Sequence, residues 1–266
     1  VGGYASGPIL KAASQMKIPT LLQEQNSYAG VTNKLSAKKA AKICVAYEGM
    51  EQFFEKGKIV LTGNPVRQDL ICSKEKRKEA YSYFHLNPDK KTIVVLGGSL
   101  GARTLNESMI AYLKEIKESD VQFLWQSGKV YYRTSKENLE KQPDTPVVLT
   151  EFISRMDLAY SVADLIISRA GAGSISEFSL LGKPIILVPS PNVAEDHQTK
   201  NALALVKNKA AILIKDTDSR EKLIPEVLKI IKDDNLLRDL SENILKMALP
   251  DSANKIVTEI ENVIRK

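Results

Sequence analysis

Three stretches of the chain place glycine, hydroxyl, carboxylate and amide groups where a short apolar run gives way to a helical one. In the first, Val94-Val95-Leu96 runs into Gly97-Gly98-Ser99-Leu100-Gly101-Ala102. Glycines at such a turn admit tight backbone geometry and close approach of a ligand, and the free N–H groups of a following helix attract anions. Ser99 adds a hydroxyl donor. The stretch lacks a Gly-Lys-Ser/Thr ending, so it is not a Walker loop, and its glycines do not have the dinucleotide spacing. The second, Ile166-Ile167-Ser168-Arg169-Ala170-Gly171-Ala172-Gly173-Ser174-Ile175-Ser176-Glu177, repeats the design. Two readings of it stand side by side. Ser174 and Glu177 have the spacing of a capping box, in which Glu177 merely reaches back to the helix start. Alternatively, the glycines open the helix N-terminus to a pyrophosphate, and Glu177 accepts hydrogen bonds from ribose hydroxyls. Two glycine-rich helix starts in one region shift the balance toward a nucleoside diphosphate.

The third stretch, Pro189 to Ala202, follows an apolar run and carries Glu195, Asp196, His197, Gln198 and Lys200 within a few residues. That density of donors and acceptors suits sugar hydroxyls, although a histidine in a polar loop is more often exposed than catalytic. Nearer the front, Gly2-Gly3-Tyr4-Ala5-Ser6-Gly7-Pro8 puts Ser6 and Pro8 at a natural helix start. Gln23-Glu24-Gln25-Asn26 ends a strand with four polar side chains.

Loops of this kind need a sheet to hold them. Candidate strands are Pro19–Gln23, Ile43–Ala46, Ile59–Leu61, Thr92–Leu96, Val121–Trp125, Val147–Leu149, Leu165–Ser168, Ile185–Val188 and Ala211–Ile214. Between most of them lie helical spacings such as Leu105, Met109, Tyr112, Leu113 and Ile116. Strand–helix alternation predicts an α/β fold with parallel sheets, and ligands in such sheets bind beyond the carboxyl ends of the strands. The turn Gly63-Asn64-Pro65-Val66-Arg67 divides the chain. Residues 1–66 read as the remnant of a first lobe whose beginning is absent, 67–250 as a second lobe, and 251–266 as an amphipathic helix returning toward the first.

Composition narrows the class. Of 266 residues, 43% are hydrophobic and 26% charged, the balance of a soluble globular protein. The apolar runs are too short to span a bilayer. Cys44 and Cys72 form no disulfide framework, which points to a reducing compartment. Together with the distant His85 and His197 they offer no metal spacing, so no metal or other cofactor is expected. The net charge is +6, and residues 1–63 hold eight Lys against four Glu. On a helix, Lys34, Lys38, Lys39 and Lys42 share a face, either solvated or drawn to an anionic membrane at about 1 kcal/mol per Lys. No aromatic residues interleave with them, so no nucleic acid is expected as a partner.

Taken in order, Gly2–Pro8, Glu24–Asn26 with Ala29, Gly30 and Asn33, Gly63–Arg67, Gly97–Ala102 with Asn106, Ser168–Glu177 and His197–Ala202 resemble the motifs of glycosyltransferase family 28. The resemblance is to its UDP-N-acetylglucosamine transferases of bacterial peptidoglycan synthesis. It implies a GT-B arrangement, two Rossmann-like lobes facing across a cleft, with the donor held by the second. It implies Arg67 and Ser99 as diphosphate contacts, Ile153 lining a uracil pocket through its backbone, and Ala172, Gly173, Ser174, Ile175 and Ser176 as the helix start under the diphosphate. Glu177 matches the ribose acceptor, Gln198 the reader of the sugar hydroxyls, and Asn26 a residue facing that sugar from the first lobe. The acceptor implied is lipid I at the cytoplasmic face of the inner membrane, where the enzyme sits peripherally. The family's further glycine-rich loop, with a histidine near the reacting centre, has no match here, so the general base is expected in a segment ahead of Val1. Two other readings stay open: a UDP-sugar-binding module inactive alone, and a GT-B enzyme with a different lipid acceptor.

Overall fold

The computed structural model describes residues 4–67, 70 and 76–265; Gly2, Gly3 and Cys72 lie outside the described residues. The strands are β1 Leu21–Glu24, β2 Lys42–Val45, β3 Ile59–Leu61, β4 Lys91–Leu96, β5 Val121–Gln126, β6 Val147–Thr150, β7 Leu165–Ser168, β8 Ile185–Leu187 and β9 Ile212–Leu213. The helices are α1 Gly7–Gln15, α2 Val31–Ser36, α3 Arg77–Phe84, α4 Arg103–Ala111, α5 Leu113–Glu118, α6 Tyr132–Glu140, α7 Met156–Val162, α8 Ala172–Leu181, α9 His197–Lys207, α10 Ser219–Ile230, α11 Asp234–Lys246 and α12 Ser252–Ile264. All the strand pairings are parallel, in a three-stranded sheet β1-β2-β3 and a six-stranded sheet β6-β5-β4-β7-β8-β9. The expected α/β class and strand positions are found, with ends moved by a residue or two.

The strands of the larger sheet are apolar on both faces because helices cover both. Ile93 and Val95 of β4 join one buried cluster with Phe123, Trp125 and Ile167, packed under α4 and α10. Val94 and Leu96 join the opposite one with Leu124, Ile166, Leu158 and Phe178. This period-two division of one strand between two cores fixes the register, since a one-residue slip would exchange every side chain. In the smaller sheet Leu22, Ile43 and Val45 pack with Met50 and Phe54.

Strand order in the six-stranded sheet reverses between β4 and β7, so the loops leaving these two neighbours diverge and leave a crevice at their carboxyl ends. Glycine holds the loops there. Gly101 and Gly128 have φ of +95° and +79°, and a Cβ on Gly128 would lie 2.1 Å from the Gly101 nitrogen. The loops after β4 and β5 therefore touch backbone to backbone. Between the sheets, Gly63 (φ +83°) lies against the start of α12, where a Cβ would meet Ser252 Oγ at 2.5 Å and Leu249 Cβ at 2.6 Å. The chain leaves the first lobe at Gly63, and α12 comes back to pack on β2.

The four-lysine helix face is not found. Helix α2 stops at Ser36, Lys38 and Lys39 lie in the following turn, and Lys42 opens β2 opposite Leu21. Ile43, Cys44 and Val45 are taken by the sheet, and that tertiary pairing overrides the helical spacing of the lysines.

Candidate functional site

The site is built from the loops at the switch point and from the polar end of β1 that faces them. Helix α8 begins directly beyond β7. Its N-cap is Gly171 in an extended conformation, with no side chain capping the first turn. The capping-box reading fails for that reason: Ser174 already lies inside the helix, and Glu177 sits mid-helix instead of reaching back. The first-turn amides of Ala172, Gly173 and Ser174 thus carry the positive end of the helix dipole toward the crevice. Ile175 is buried in the core below. The Ser176 hydroxyl donates to the Ala172 carbonyl (3.0 Å) and accepts from Asn64 Nδ2 (3.0 Å).

Glu177 has a partner that sequence spacing does not reveal. The Tyr160 hydroxyl of α7 donates to Glu177 Oε2 at 2.7 Å, and Arg67 Nε lies 3.8 Å from Oε1. Burial, with the Glu177 charge beside it, pushes the Tyr160 phenol well above its usual range, so it remains a donor and orients the carboxylate. Arg67 is half-exposed on the linker that follows β3, a cation beside Glu177. Ser99 is exposed on the neighbouring loop after β4, where its carbonyl accepts from the Lys129 amide at 3.0 Å. Ile153 is buried, and its amide donates to Gln126 Oε1 at 3.0 Å. That leaves its carbonyl as the backbone group through which it can meet a base.

Gln198, on the first turn of α9, joins two loops. Its Oε1 accepts from the amides of Ala170 (3.2 Å) and Ser190 (2.9 Å), which fixes the amide's orientation. The turn before it holds Glu195 and Asp196 in the left-handed region, with φ of 56° and 51°, a conformation costly for side chains of this kind. The His197 ring is tied to the Ala194 carbonyl through Nδ1 at 2.8 Å. His85 is the left-handed C-cap of α3.

The first lobe meets this face through a loop folded around Glu24. That carboxylate is buried and accepts from the Asn26 amide (3.1 Å), Asn26 Nδ2 (3.4 Å), the Gly30 amide (2.9 Å) and Asn33 Nδ2 (2.8 Å). So anchored, Asn26 points its Oδ1 across the cleft to accept from Asn201 Nδ2 at 3.0 Å. Asn201, fully buried, accepts from the amide and hydroxyl of Ser27 at 2.9 and 3.1 Å, and also donates to the Ala170 carbonyl. Lys34 reaches Glu195 at 3.6 Å and stands over the ring of Tyr28, while Lys200 stands over the same ring at 3.2 Å.

Asn26, Arg67, Ala172, Gly173, Ser174, Glu177 and Gln198 thus stand on the loop after β1, the linker after β3, α8 and the start of α9, joined pairwise through Asn26–Asn201, Arg67–Glu177 and the contacts of Gln198 and Asn201 with Ala170. Ser99 and Ile153 lie on the loops after β4 and β6. Ile175 and Ser176 serve packing and the interlobe contact. Tyr160, Asn64, Asn201 and Gln126 complete the set. Asn64 and Asn201 fall inside motifs the sequence marks, but Tyr160 and Gln126 are ordinary members of a helix and a strand.

With this geometry in hand, the chain can be set beside known proteins. The glycosyltransferase family 28 C-terminal domain matches residues 92–256, and the family's N-terminal domain matches residues 1–45. A relative from Parabacteroides distasonis is 60% identical over 266 residues, all of this chain and 72% of its own length; one from Bacteroides fragilis is 60% identical over 262 residues, 98% of this chain and 69% of its own. Both are called UDP-N-acetylglucosamine–N-acetylmuramyl-(pentapeptide) pyrophosphoryl-undecaprenol N-acetylglucosamine transferase. Among solved structures, MurG of Acinetobacter baumannii superposes with a TM-score of 0.78 at 28% identity, over 98% of this chain and 72% of that one. The UDP-GlcNAc 2-epimerase of Neisseria meningitidis shares the fold at 16% identity, with a TM-score of 0.67 over 96% of this chain and 73% of that one.

Proposed function

The chain belongs to glycosyltransferase family 28, and on that premise we propose that it transfers N-acetylglucosamine from UDP-N-acetylglucosamine to undecaprenyl-pyrophosphoryl-N-acetylmuramyl-pentapeptide. This is the lipid I to lipid II step of peptidoglycan synthesis. The observation that carries the reading is the meeting, at one switch point, of an uncapped helix start with Glu177, Gln198 and the Asn26–Asn201 pair.

The acceptor's C4 hydroxyl attacks the anomeric carbon, the bond to the diphosphate breaks, and the configuration inverts. Negative charge develops on the departing UDP. The amides of Ala172 to Ser174, the Ser99 hydroxyl and the Arg67 guanidinium are the groups that neutralise it, by donors and dipoles set in place before the reaction. Glu177, held by Tyr160, accepts from the ribose hydroxyls, and the Ile153 carbonyl accepts from the uracil. Gln198, with its carbonyl oxygen spent on two loop amides, reads the sugar through its NH2 group, and Asn26 meets it from the opposite wall. No residue of this chain is assigned the general base.

Access to a lipid-linked acceptor requires a membrane-facing surface. In the first lobe Ile9, Met16, Ile18, Val31 and Leu35 are exposed, Leu35 to 77%, and Lys11 and Lys17 accompany them. An apolar patch rimmed by lysine suits peripheral attachment to an anionic leaflet, here the cytoplasmic face of the inner membrane. Among the described residues no helix is long and apolar enough to cross a membrane.

The test is turnover with radiolabelled UDP-N-acetylglucosamine and lipid I, beside calorimetry on the same sample. The expected product is labelled lipid II. Glu177→Ala and Arg67→Ala are each expected to weaken UDP binding about tenfold or more, the scale of a lost charge-assisted contact. Binding without turnover would reduce the reading to a donor-binding half, and unchanged UDP affinity in both variants would undo the site.

A further inference from the structure

Strand β5 is apolar except at Gln122 and Gln126, which are both buried and alternate on one face with Leu124. A buried carboxamide costs free energy unless its groups are bonded. Gln122, near the start of the strand, is spent on the fold. Its Oε1 accepts from the Asn87 amide at 2.9 Å, and its Nε2 donates to the Asn87 carbonyl at 2.7 Å and the Thr92 hydroxyl at 2.9 Å. Gln126, the last residue of the strand, has a different task. Its Oε1 accepts from the Ile153 amide at 3.0 Å, in the loop after β6. Its carbonyl accepts from the Gly97 amide at 3.2 Å, where the loop after β4 begins.

One residue thus ties together the loops proposed to hold the base and the diphosphate. Ile153 itself is held at two points: its side chain packs in the buried cluster with Leu124 and Leu158, and its amide is taken by Gln126. Backbone bonds fasten the same loop just ahead of it, from the Ser127 amide to the Thr150 carbonyl at 3.0 Å and from the Gly128 amide to the Glu151 carbonyl at 3.1 Å. The Ile153 carbonyl accepts no hydrogen bond among the described residues, so an acceptor is what Ile153 has left for a ligand. A uracil joined to ribose through N1 keeps a single N–H, at N3. Cytosine carries a lone pair at that atom, which would meet the carbonyl acceptor to acceptor.

We propose, resting on the reading of Ile153 as the base contact, that Gln126 is a positioning residue for base recognition. By taking the Ile153 amide, it leaves the Ile153 carbonyl as the group that meets the base, and so sets the preference for uracil over cytosine. Gln126 touches neither the reacting atoms nor the sugar; it acts through Ile153.

Calorimetry on the whole chain with UDP and CDP tests this. The unaltered chain is expected to bind UDP at least about tenfold more tightly than CDP, the scale of one hydrogen bond whose loss leaves an acceptor unpaired. Gln126→Leu is expected to remove most of that preference, chiefly by weakening UDP. Gln126→Asn keeps a carboxamide but withdraws it by one methylene, and is expected to lower the preference in the same direction and by less. Gln122→Leu is the control, expected to lower Tm and leave the ratio of UDP to CDP affinity as it was. Equal weakening of UDP and CDP in Gln126→Leu overturns the proposal, since a merely structural amide would act on both alike. So does a ratio that Gln122→Leu lowers as much. No preference for UDP in the unaltered chain removes the base contact at Ile153 and this inference with it, whereas a preference that survives both Gln126 variants overturns the inference alone.

Discussion

The loops at the switch point of the six-stranded sheet and the seam between the lobes line the same cleft, yet different forces hold them. On the sheet side the contacts are backbone to backbone or deeply buried. Gly101 lies on Gly128, and Asn106 receives the Trp125 indole and donates to the Ser127 carbonyl at 2.8 and 2.9 Å. Arg169 pairs with Asp216, which also accepts from Thr104, tying the loop after β7 and the turn after β9 to the first turn of α4. Across the seam the contacts run through side chains: Asn64 to Ser176, Asn201 to Ser27 and Asn26, Lys34 to Glu195. One wall of the cleft is set before any ligand arrives, whereas the other can be remade, as polar surfaces between lobes allow.

The largest effect should come from breaking the rigid wall. Gly128→Ala adds a methyl group at positive φ, where the Gly101 nitrogen is 2.1 Å away, and neither backbone can yield cheaply. The expected loss is roughly 3 kcal/mol or more by chemical denaturation, with UDP binding abolished. A loss under about 1 kcal/mol would mean that this contact does not hold the loops. The seam should answer more mildly. Asn201→Ala strands the Ser27 donors and the Asn26 acceptor, at a cost of about 1–3 kcal/mol, and should raise KM for UDP-N-acetylglucosamine more than it lowers kcat. A fall in Tm with KM unchanged would make Asn201 a structural tie only.

The same contrast explains what the sequence discloses. The strands were legible because parallel strands buried on both faces must be continuous β-branched runs, as at Ile93–Leu96 and Leu165–Ile167. The glycine loops were legible because a backbone that must approach another backbone permits nothing else. Partners across space were not. Glu177 and Tyr160 are 17 residues apart and Asn201 and Asn26 are 175, and no periodicity connects them. Helical spacing misled at Lys34–Lys42, where pairing with β1 claimed Lys42 and its successors, and capping-box spacing misled at Ser174–Glu177, where Gly171 occupies the N-cap position and no side chain caps the helix.

Behind the rigid wall, Asp157 sharpens the comparison through pH. Its buried carboxylate accepts from Arg155 Nε at 2.9 Å and Nη2 at 2.8 Å and from Lys76 Nζ at 2.7 Å, and the Arg155 guanidinium foremost holds it well below the usual carboxylate range. A carboxyl depressed on folding stabilises the protein at pH above its unfolded value and loses that contribution as pH falls toward its folded one. Stability should therefore be level in this respect above about pH 5 and decline below about pH 4. Asp157→Asn should flatten the decline in acid urea titrations. An unaltered slope would show that other carboxylates carry it.

The smallest effect is expected at the seam's ion pair, and its size is what the comparison turns on. Lys34 and Glu195 are about one-third exposed and 3.6 Å apart, so water screens them and side-chain entropy offsets much of the attraction. A double-mutant cycle with Lys34→Ala and Glu195→Ala should give a coupling of about 0.2–1 kcal/mol that fades as salt is raised to about 1 M. The same salt should leave the contribution of Asp157 nearly intact, because that carboxylate is only 6% exposed. Lys34 also stands over Tyr28, so Tyr28→Phe should keep the cation–ring contact and Tyr28→Leu should lose it. If the Lys34–Glu195 coupling proved as large and as salt-resistant as the Asp157 cluster, the seam would be as rigid as the sheet side. Opening and closing of the cleft would then have to be sought elsewhere, in the strained turn at Glu195 and Asp196.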